Sequence, residues 1–243
     1  MAIPESYPDA VRAALQRLVD SVATIAPLPA SMAVFGSLVK GTYRAGSSEV
    51  SLAVVLADDS EQALVAVRKP LHTASQSLRL RPFLLSLAEL PRLADVFPIK
   101  IADIVDHHDL IFGDDPFADV VVERAHLRLR IEQLLRDHLL RIRRHYIHGG
   151  DDAAEMTRAV FGSISALEVE LTALLKIAGE GGGSGTLASV IEPAVAAFGL
   201  DRAMLDRLEA FRKGGKESDM RGLFFGLVSV LQQAVQIADE LDV

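Results

Sequence analysis

The chain has 243 residues, half of them hydrophobic, which is enough for one large domain or two small ones. Its net charge of −8 argues against a general nucleic-acid binder, because phosphate contacts need a positive protein surface. The lack of cysteine excludes a disulfide framework and a thiolate metal site.

The N-terminus and the longest apolar segment predict a cytoplasmic protein. Residues 1–15 lack the basic start and the continuous apolar run that are typical of a signal peptide. The longest uncharged run, over 222–238, carries polar glutamines such as Gln232 and Gln233 and is shorter than the roughly 20 residues that cross a bilayer. We therefore expect no membrane partner.

The first part of the chain predicts a helix and two strands joined by a glycine-serine turn. Apolar residues at helical spacing indicate a helix over 8–26, and an apolar strand follows over 30–35. The strand breaks at Gly36-Ser37, where glycine permits a tight turn and close approach by a ligand. The amides after such a turn suit an anion such as a triphosphate. A second strand, over 50–56, is apolar nearly throughout, which is typical of a buried central strand.

The two strands and the turn carry a motif that resembles the nucleotidyltransferase superfamily. The motif reads Phe35-Gly36-Ser37, eleven residues, then Glu49-Val50-Ser51-Leu52. The family has a hydrophobic residue, Gly-Ser, a spacer of similar length, and then acid-hydrophobic-acid-hydrophobic. The resemblance implies a fold of the DNA polymerase β-like or aminoglycoside-type nucleotidyltransferases. It also implies a nucleotide-binding role for Gly36, Ser37, Lys40 and Gly41.

The same resemblance places metal-binding acids at positions 49 and 51, and the second of these is Ser51. Hard cations such as Mg2+ prefer carboxylate oxygens, and residues i and i+2 of a strand point to the same face. A serine hydroxyl does not replace the charge of a carboxylate. The motif therefore predicts a metal site that is partly lost, with Glu49 as a weak metal ligand.

The segment 95–115 is the second point of resemblance to bacterial nucleotidyltransferase-like proteins. A helix after position 60 and a third strand over 79–85 precede it, and an apolar strand is expected within it. The resemblance places the family's third catalytic carboxylate on that strand, at Lys100 or at Asp103. Three residues apart on a strand, these two would point to opposite faces. Lys100 would invert the charge of the site, repel Mg2+ and pair with Glu49.

The remainder of the chain predicts a helical bundle. Helices are expected over 122–147, 153–178, 186–198, 201–211 and 218–241, with a glycine-rich linker over 179–185. Short loops between long helices favour an up-and-down bundle. The fold class is therefore α+β, with a nucleotidyltransferase-like domain and a small mixed sheet over 1–118 and a helical bundle over 119–243.

The predicted helix over 122–147 carries a basic face whose role stays open. Its arginines are Arg124, Arg128, Arg130, Arg136, Arg141, Arg143 and Arg144. The face is either simply solvated or attracts an anionic ligand. The spacing of Arg143 and His148 also resembles HEPN-type ribonucleases, but Arg144 stands where that family usually has Asn, Asp or His.

Three functions compete at this point. The first is a catalytically degenerate nucleotidyltransferase-like protein that keeps a nucleotide- or partner-binding cleft. The second is an active enzyme that moves a nucleoside monophosphate to a small-molecule or protein hydroxyl, with Mg2+ as cofactor and Glu49 and Asp103 as catalytic acids. The third is a homodimeric interaction module, since the last helix has more apolar residues than one buried stripe needs. Ser51 ranks the degenerate protein first, and no cofactor is certain beyond Mg2+ for the active enzyme.

Overall fold

The computed structural model describes residues 3–180 and 186–241. It divides into two compact units, Met1–Glu123 and Arg124–Val243. The first unit combines a sheet with helices, and the described residues of the second are helical. The predicted α+β fold class is therefore confirmed. The glycine-rich linker predicted over 179–185 lies, apart from its first two residues, outside the described residues.

The first unit is built on a mixed four-stranded sheet. Its elements are α1 (Asp9–Val22), β1 (Ser31–Phe35), β2 (Val50–Leu56), α2 (Glu61–Ser77), β3 (Leu80–Ser86), α3 (Leu90–Val96), α4 (Pro98–Asp106) and β4 (His108–Gly113). The strand order is β3-β2-β1-β4. β1 is antiparallel to both β2 and β4, whereas β2 and β3 are parallel and are joined through α2.

The two central strands are apolar on both faces because helices cover both faces. Val34 and Leu52 lie in one core cluster with residues of α1 and α2. Ala53 and Val55 lie in the other, with residues of α3 and α4. Ser51 is the one residue of β2 that is not fully buried, and it lies next to the first residue of the strand.

The segment expected to form a strand with Lys100 and Asp103 forms helix α4 instead, which corrects the prediction. Its buried residues include Ile101 and Ile104, whose spacing fits a helix, and Pro98 occupies the first turn, where proline is well tolerated. The strand of this region comes later, as β4. On α4, Lys100 and Asp103 are surface neighbours three residues apart, not residues of opposite faces.

The described residues of the second unit form five helices. They are α5 (Arg124–Gly149), α6 (Ala153–Ala178), α7 (Leu187–Phe198), α8 (Arg202–Arg212) and α9 (Met220–Glu240). The Asp152 and Asp201 side chains cap α6 and α8, and glycines with positive φ end α6 and α7. α6 packs against α5, α7 and α9, and Glu170 of α6 contacts the buried His138 of α5 at 2.8 Å.

Helix α9 supplies much of the core of the second unit. Most of the apolar residues that suggested a dimer, among them Phe224 and Leu231, are buried within the unit, whereas Phe225 is 40% exposed. By length and composition alone, α9 is also long and apolar enough to cross a membrane. Its uncharged run, over 222–238, is shorter than the roughly 20 residues that cross a bilayer. A buried core helix meets the same criterion, and half of the apolar window of α9 is buried.

Candidate functional site

The glycine-serine turn lies directly after β1 and against the start of β2. Gly36 has φ +78°, in the left-handed region that favours glycine. The Lys40 amide donates to the Gly36 carbonyl at 3.0 Å, and the Thr42 amide donates to the Ser37 carbonyl at 2.9 Å. A Cβ at Gly36 would lie 3.5 Å from Ser51 Oγ. The turn and position 51 therefore meet at one place, as the motif requires.

The pairing of β2 with β3 places an arginine beside the acid positions. Ser51 is in register with Arg81 of β3, so both side chains point to the same face of the sheet. The Arg81 guanidinium donates to Glu49 Oε2 at 3.3 Å. The two side chains are 72% and 46% exposed, so the pair contributes only about 0–1 kcal/mol and is easily opened.

Lys100 lies close to Arg81. Its Nζ is 4.1 Å from the ring centroid of Phe83, two residues beyond Arg81 on β3. Burial, and then the charge of Arg81, lower the pKa of Lys100. The cation that pairs with Glu49 is thus Arg81 and not Lys100. Lys100 and Arg81 together form a pair of like charges, of which Arg81 is the neighbour of Ser51.

Asp103, the other candidate for the third acid, contacts the glycine-serine turn. Its carboxylate pairs with the Lys40 ammonium, and His107 Nδ1 lies 3.8 Å from the same oxygen. Lys40 and Asp103 are each about one-third exposed. The pair connects the turn to α4 and occupies Asp103 with a cation. Gly41, next to Lys40, has φ +70° and open space where a Cβ would lie.

The arrangement does not fit a divalent metal. No three histidine, aspartate or glutamate side chains converge on a metal position anywhere in residues 3–180 and 186–241. Ser51 is neutral, Glu49 is paired with Arg81, and Asp103 is paired with Lys40. A metal here would have to displace two ion pairs and would meet no pair of carboxylates.

Arg81 is a candidate site residue that the sequence did not predict. It lies in the predicted third strand, but nothing in the residues 79–85 marks it as a site residue. The signal lies in the connection: a helix between two strands favours parallel pairing, which brings the start of β3 beside the start of β2. Only the register then selects Arg81 as the neighbour of Ser51.

Part of the basic face of α5 serves the bundle itself. Arg124 donates to the Ile177 carbonyl near the end of α6, and Arg128 donates to the Ala238 carbonyl near the end of α9. Cations at helix C-termini satisfy free carbonyls and complement the helix dipole. Arg136 pairs with Glu132 at 2.8 Å. These arginines have a structural role. Arg141, Arg143 and Arg144 are exposed.

Comparisons with known proteins identify the fold. No protein-family model matches the sequence. No curated protein matches it either. Nine chains of solved structures do match. Among them is the crystal structure of spectinomycin adenyltransferase AAD(9) from Enterococcus faecialis with ATP and spectinomycin, at a TM-score of 0.55 and 11% identity over 94% of this chain and 98% of that chain. The chain therefore has the nucleotidyltransferase-like fold that the motif around Gly36 and Glu49 predicted, with a helical C-terminal half.

Proposed function

We propose that this protein binds the phosphates of a nucleotide at the Gly36-Ser37 turn and does not catalyse nucleotidyl transfer. Its fold is of the nucleotidyltransferase kind, and the similar spectinomycin adenyltransferase was crystallised with ATP. The observation that carries the proposal is Arg81, which pairs with Glu49 beside Ser51. A permanently charged guanidinium thus contacts the positions where the sequence motif places the metal-binding acids.

The loss of catalysis follows from the charges around Ser51. Nucleotidyl transfer uses divalent metal to neutralise the phosphates and to activate the attacking oxygen. Here the first acid is bound by Arg81, the second is a serine, and Asp103 is bound by Lys40. Removal of such charge stabilisation typically costs several kcal/mol of transition-state free energy, or orders of magnitude in rate.

The retention of binding is supported by the turn and by the cations around it. Gly36 keeps the positive φ that the tight turn requires. Lys40, Arg81 and Lys100 outnumber the two carboxylates, Glu49 and Asp103, in a chain whose net charge is −8. A local excess of positive charge on an acidic protein favours an anionic ligand.

Two measurements on one preparation test the proposal. Calorimetric titration with ATP, CTP, GTP and UTP is expected to show binding of at least one nucleotide. Incubation with the radiolabelled nucleotides and Mg2+ or Mn2+ is expected to give no labelled acceptor. Labelled product that disappears in Glu49→Gln would instead identify an active nucleotidyltransferase. The absence of binding to all four nucleotides would exclude nucleotide binding and leave an interaction module.

A further inference from the structure

We infer that Arg81 takes the place of the missing metal, so that the site binds the phosphate chain of a nucleoside triphosphate free of Mg2+. The inference rests on the proposed nucleotide binding and specifies its chemistry. It predicts that divalent metal weakens the binding, whereas a metal-dependent nucleotidyltransferase site would need the metal.

The Arg81 guanidinium lies beside both acid positions of the motif. Arg81 is opposite Ser51 in the parallel register and contacts Glu49, so it reaches the two positions of the acid-x-acid motif. Ser51 in turn lies against Gly36, the first residue of the turn. A ligand on the turn would therefore contact the guanidinium beside positions 49 and 51, where the nucleotidyltransferase motif places the metal-binding acids.

The chemistry of arginine suits a phosphate ligand. A guanidinium is permanently charged and offers a planar set of N–H donors that matches phosphate oxygens in a bidentate way. It supplies a positive charge and hydrogen bonds to the phosphates but no open coordination position for an attacking oxygen. Arg81 therefore reproduces the charge neutralisation by a metal without its catalytic chemistry.

Arg81 and Lys100 repel each other. Burial and the charge of Arg81 both disfavour the charged form of Lys100, whose Nζ lies at the Phe83 ring. An anion near both cations relieves this repulsion, which makes the binding free energy of the anion more favourable. Mg2+ on the triphosphate would oppose this gain, because it neutralises the phosphates and brings a third cation to the site.

The Arg81–Glu49 contact, which must open for Arg81 to bind a phosphate, is weak. The Arg81–Glu49 pair is largely exposed, at 3.3 Å, and such pairs contribute little to stability. Arg81 can exchange the carboxylate for a phosphate at small cost. Glu49 then faces solvent, where a carboxylate is well hydrated.

Calorimetric titration of the full chain with ATP, in EDTA and in MgCl2 at matched ionic strength, tests the inference. We expect the dissociation constant in EDTA to be several-fold lower than in MgCl2, since MgATP carries less charge. Arg81→Ala is expected to weaken binding in EDTA about tenfold or more, through the loss of charge-assisted hydrogen bonds. Arg81→Lys should recover part of the affinity because it keeps the charge.

Arg68→Ala is the matched control. Arg68 is exposed on α2, which packs on the opposite face of the sheet, so its removal changes the net charge equally without touching the site. Its ATP affinity is expected to equal that of the wild type, and thermal unfolding of both variants confirms folding. Equal losses in Arg68→Ala and Arg81→Ala would overturn the role of Arg81.

The outcomes separate this inference from the proposed function. ATP binding that occurs only in MgCl2 would overturn the inference and leave nucleotide binding intact. Tighter MgATP binding by Arg81→Ala than by the wild type would likewise show that Arg81 blocks a metal site rather than replaces it. No ATP binding in either buffer, with no binding of the other three nucleotides, would overturn both.

Discussion

The turn after β1 and the start of β2 lie side by side, yet they differ in what they keep of the nucleotidyltransferase motif. The turn keeps its backbone geometry, with Gly36 at φ +78°. The start of β2 has lost negative charge, since Ser51 occupies one acid position and Arg81 pairs with Glu49 at the other. The proposed function separates binding by the backbone turn from catalysis by the acids, because the two would rest on different groups of the same site.

Restoring the acids should break this difference most strongly. The double variant Ser51→Asp/Arg81→Ala provides two carboxylates on one face and removes the competing cation. We expect its affinity for Mn2+ to rise on the order of 100-fold over the wild type, or roughly 3 kcal/mol. Electron paramagnetic resonance of free Mn2+ measures the change. Ser51→Asp alone should gain much less, because Arg81 remains. Tight Mn2+ binding by the wild type would contradict the account.

Straining the turn should have the next largest effect. Gly36→Ala forces an L side chain to φ +78°, which costs about 1–2 kcal/mol. The strained turn will change its backbone conformation, and we expect ATP affinity to fall about tenfold. Gly199→Ala is the control, since Gly199 has φ +65° and open space around a Cβ, but lies in the second unit. Both variants should lose similar stability in urea unfolding. An equal loss of ATP affinity in both would show that the turn is not the binding element.

Freeing Lys40 should distinguish the two regions more finely. Asp103→Asn removes the partner of Lys40 and leaves the ammonium available to a phosphate. We expect ATP to bind about threefold more tightly, in line with the small free energy of partly exposed ion pairs. A metal-dependent enzyme that used Asp103 as a catalytic acid would respond in the opposite direction. A fall in MgATP affinity, measured by calorimetry, would therefore favour the active enzyme.

The smallest effect should come from Lys100 and pH. Its lowered pKa means that the unfolded chain binds the proton more tightly than the folded one. The protonated Lys100 therefore destabilises the folded state, and this destabilisation is present in full at neutral pH. It is relieved as pH rises towards the ordinary lysine pKa of 10.5, so the contribution of Lys100 makes the free energy of unfolding increase with pH over that range. Lys100→Met should be slightly more stable at neutral pH, and the difference should shrink at alkaline pH. Urea unfolding of the two proteins across this range measures it, and a constant difference would be the contrary result.

The helices and the central strands could largely be predicted from the sequence. The expected helix over 153–178 is observed as Ala153–Ala178, and the expected strand over 50–56 as Val50–Leu56. Both carry strong signals: a capping Asp152 with helical periodicity in one, and a nearly continuous apolar run in the other. The nucleotidyltransferase-like fold followed from the motif around Gly36 and Glu49, and the comparison with spectinomycin adenyltransferase confirms it.

The segment around Lys100 could not be predicted in the same way. A short apolar run such as that of 98–106 suits a strand or a helix, and packing on the sheet selects the helix. That choice moved Lys100 and Asp103 from opposite faces to one helix surface, where they contact different partners. The side chain of Lys100 lies on Phe83, and that of Asp103 contacts Lys40.

The sequence by itself determined the turn, the helix ends and the missing acid, because each depends on a residue and its immediate neighbours. Gly36 adopts its backbone conformation for local steric reasons, and Ser51 lacks a carboxylate wherever it lies. Only the tertiary structure decided that Arg81 is the partner of Glu49. Strand register depends on the packing of whole faces, and a shift by one residue would turn Arg81 to the other side of the sheet.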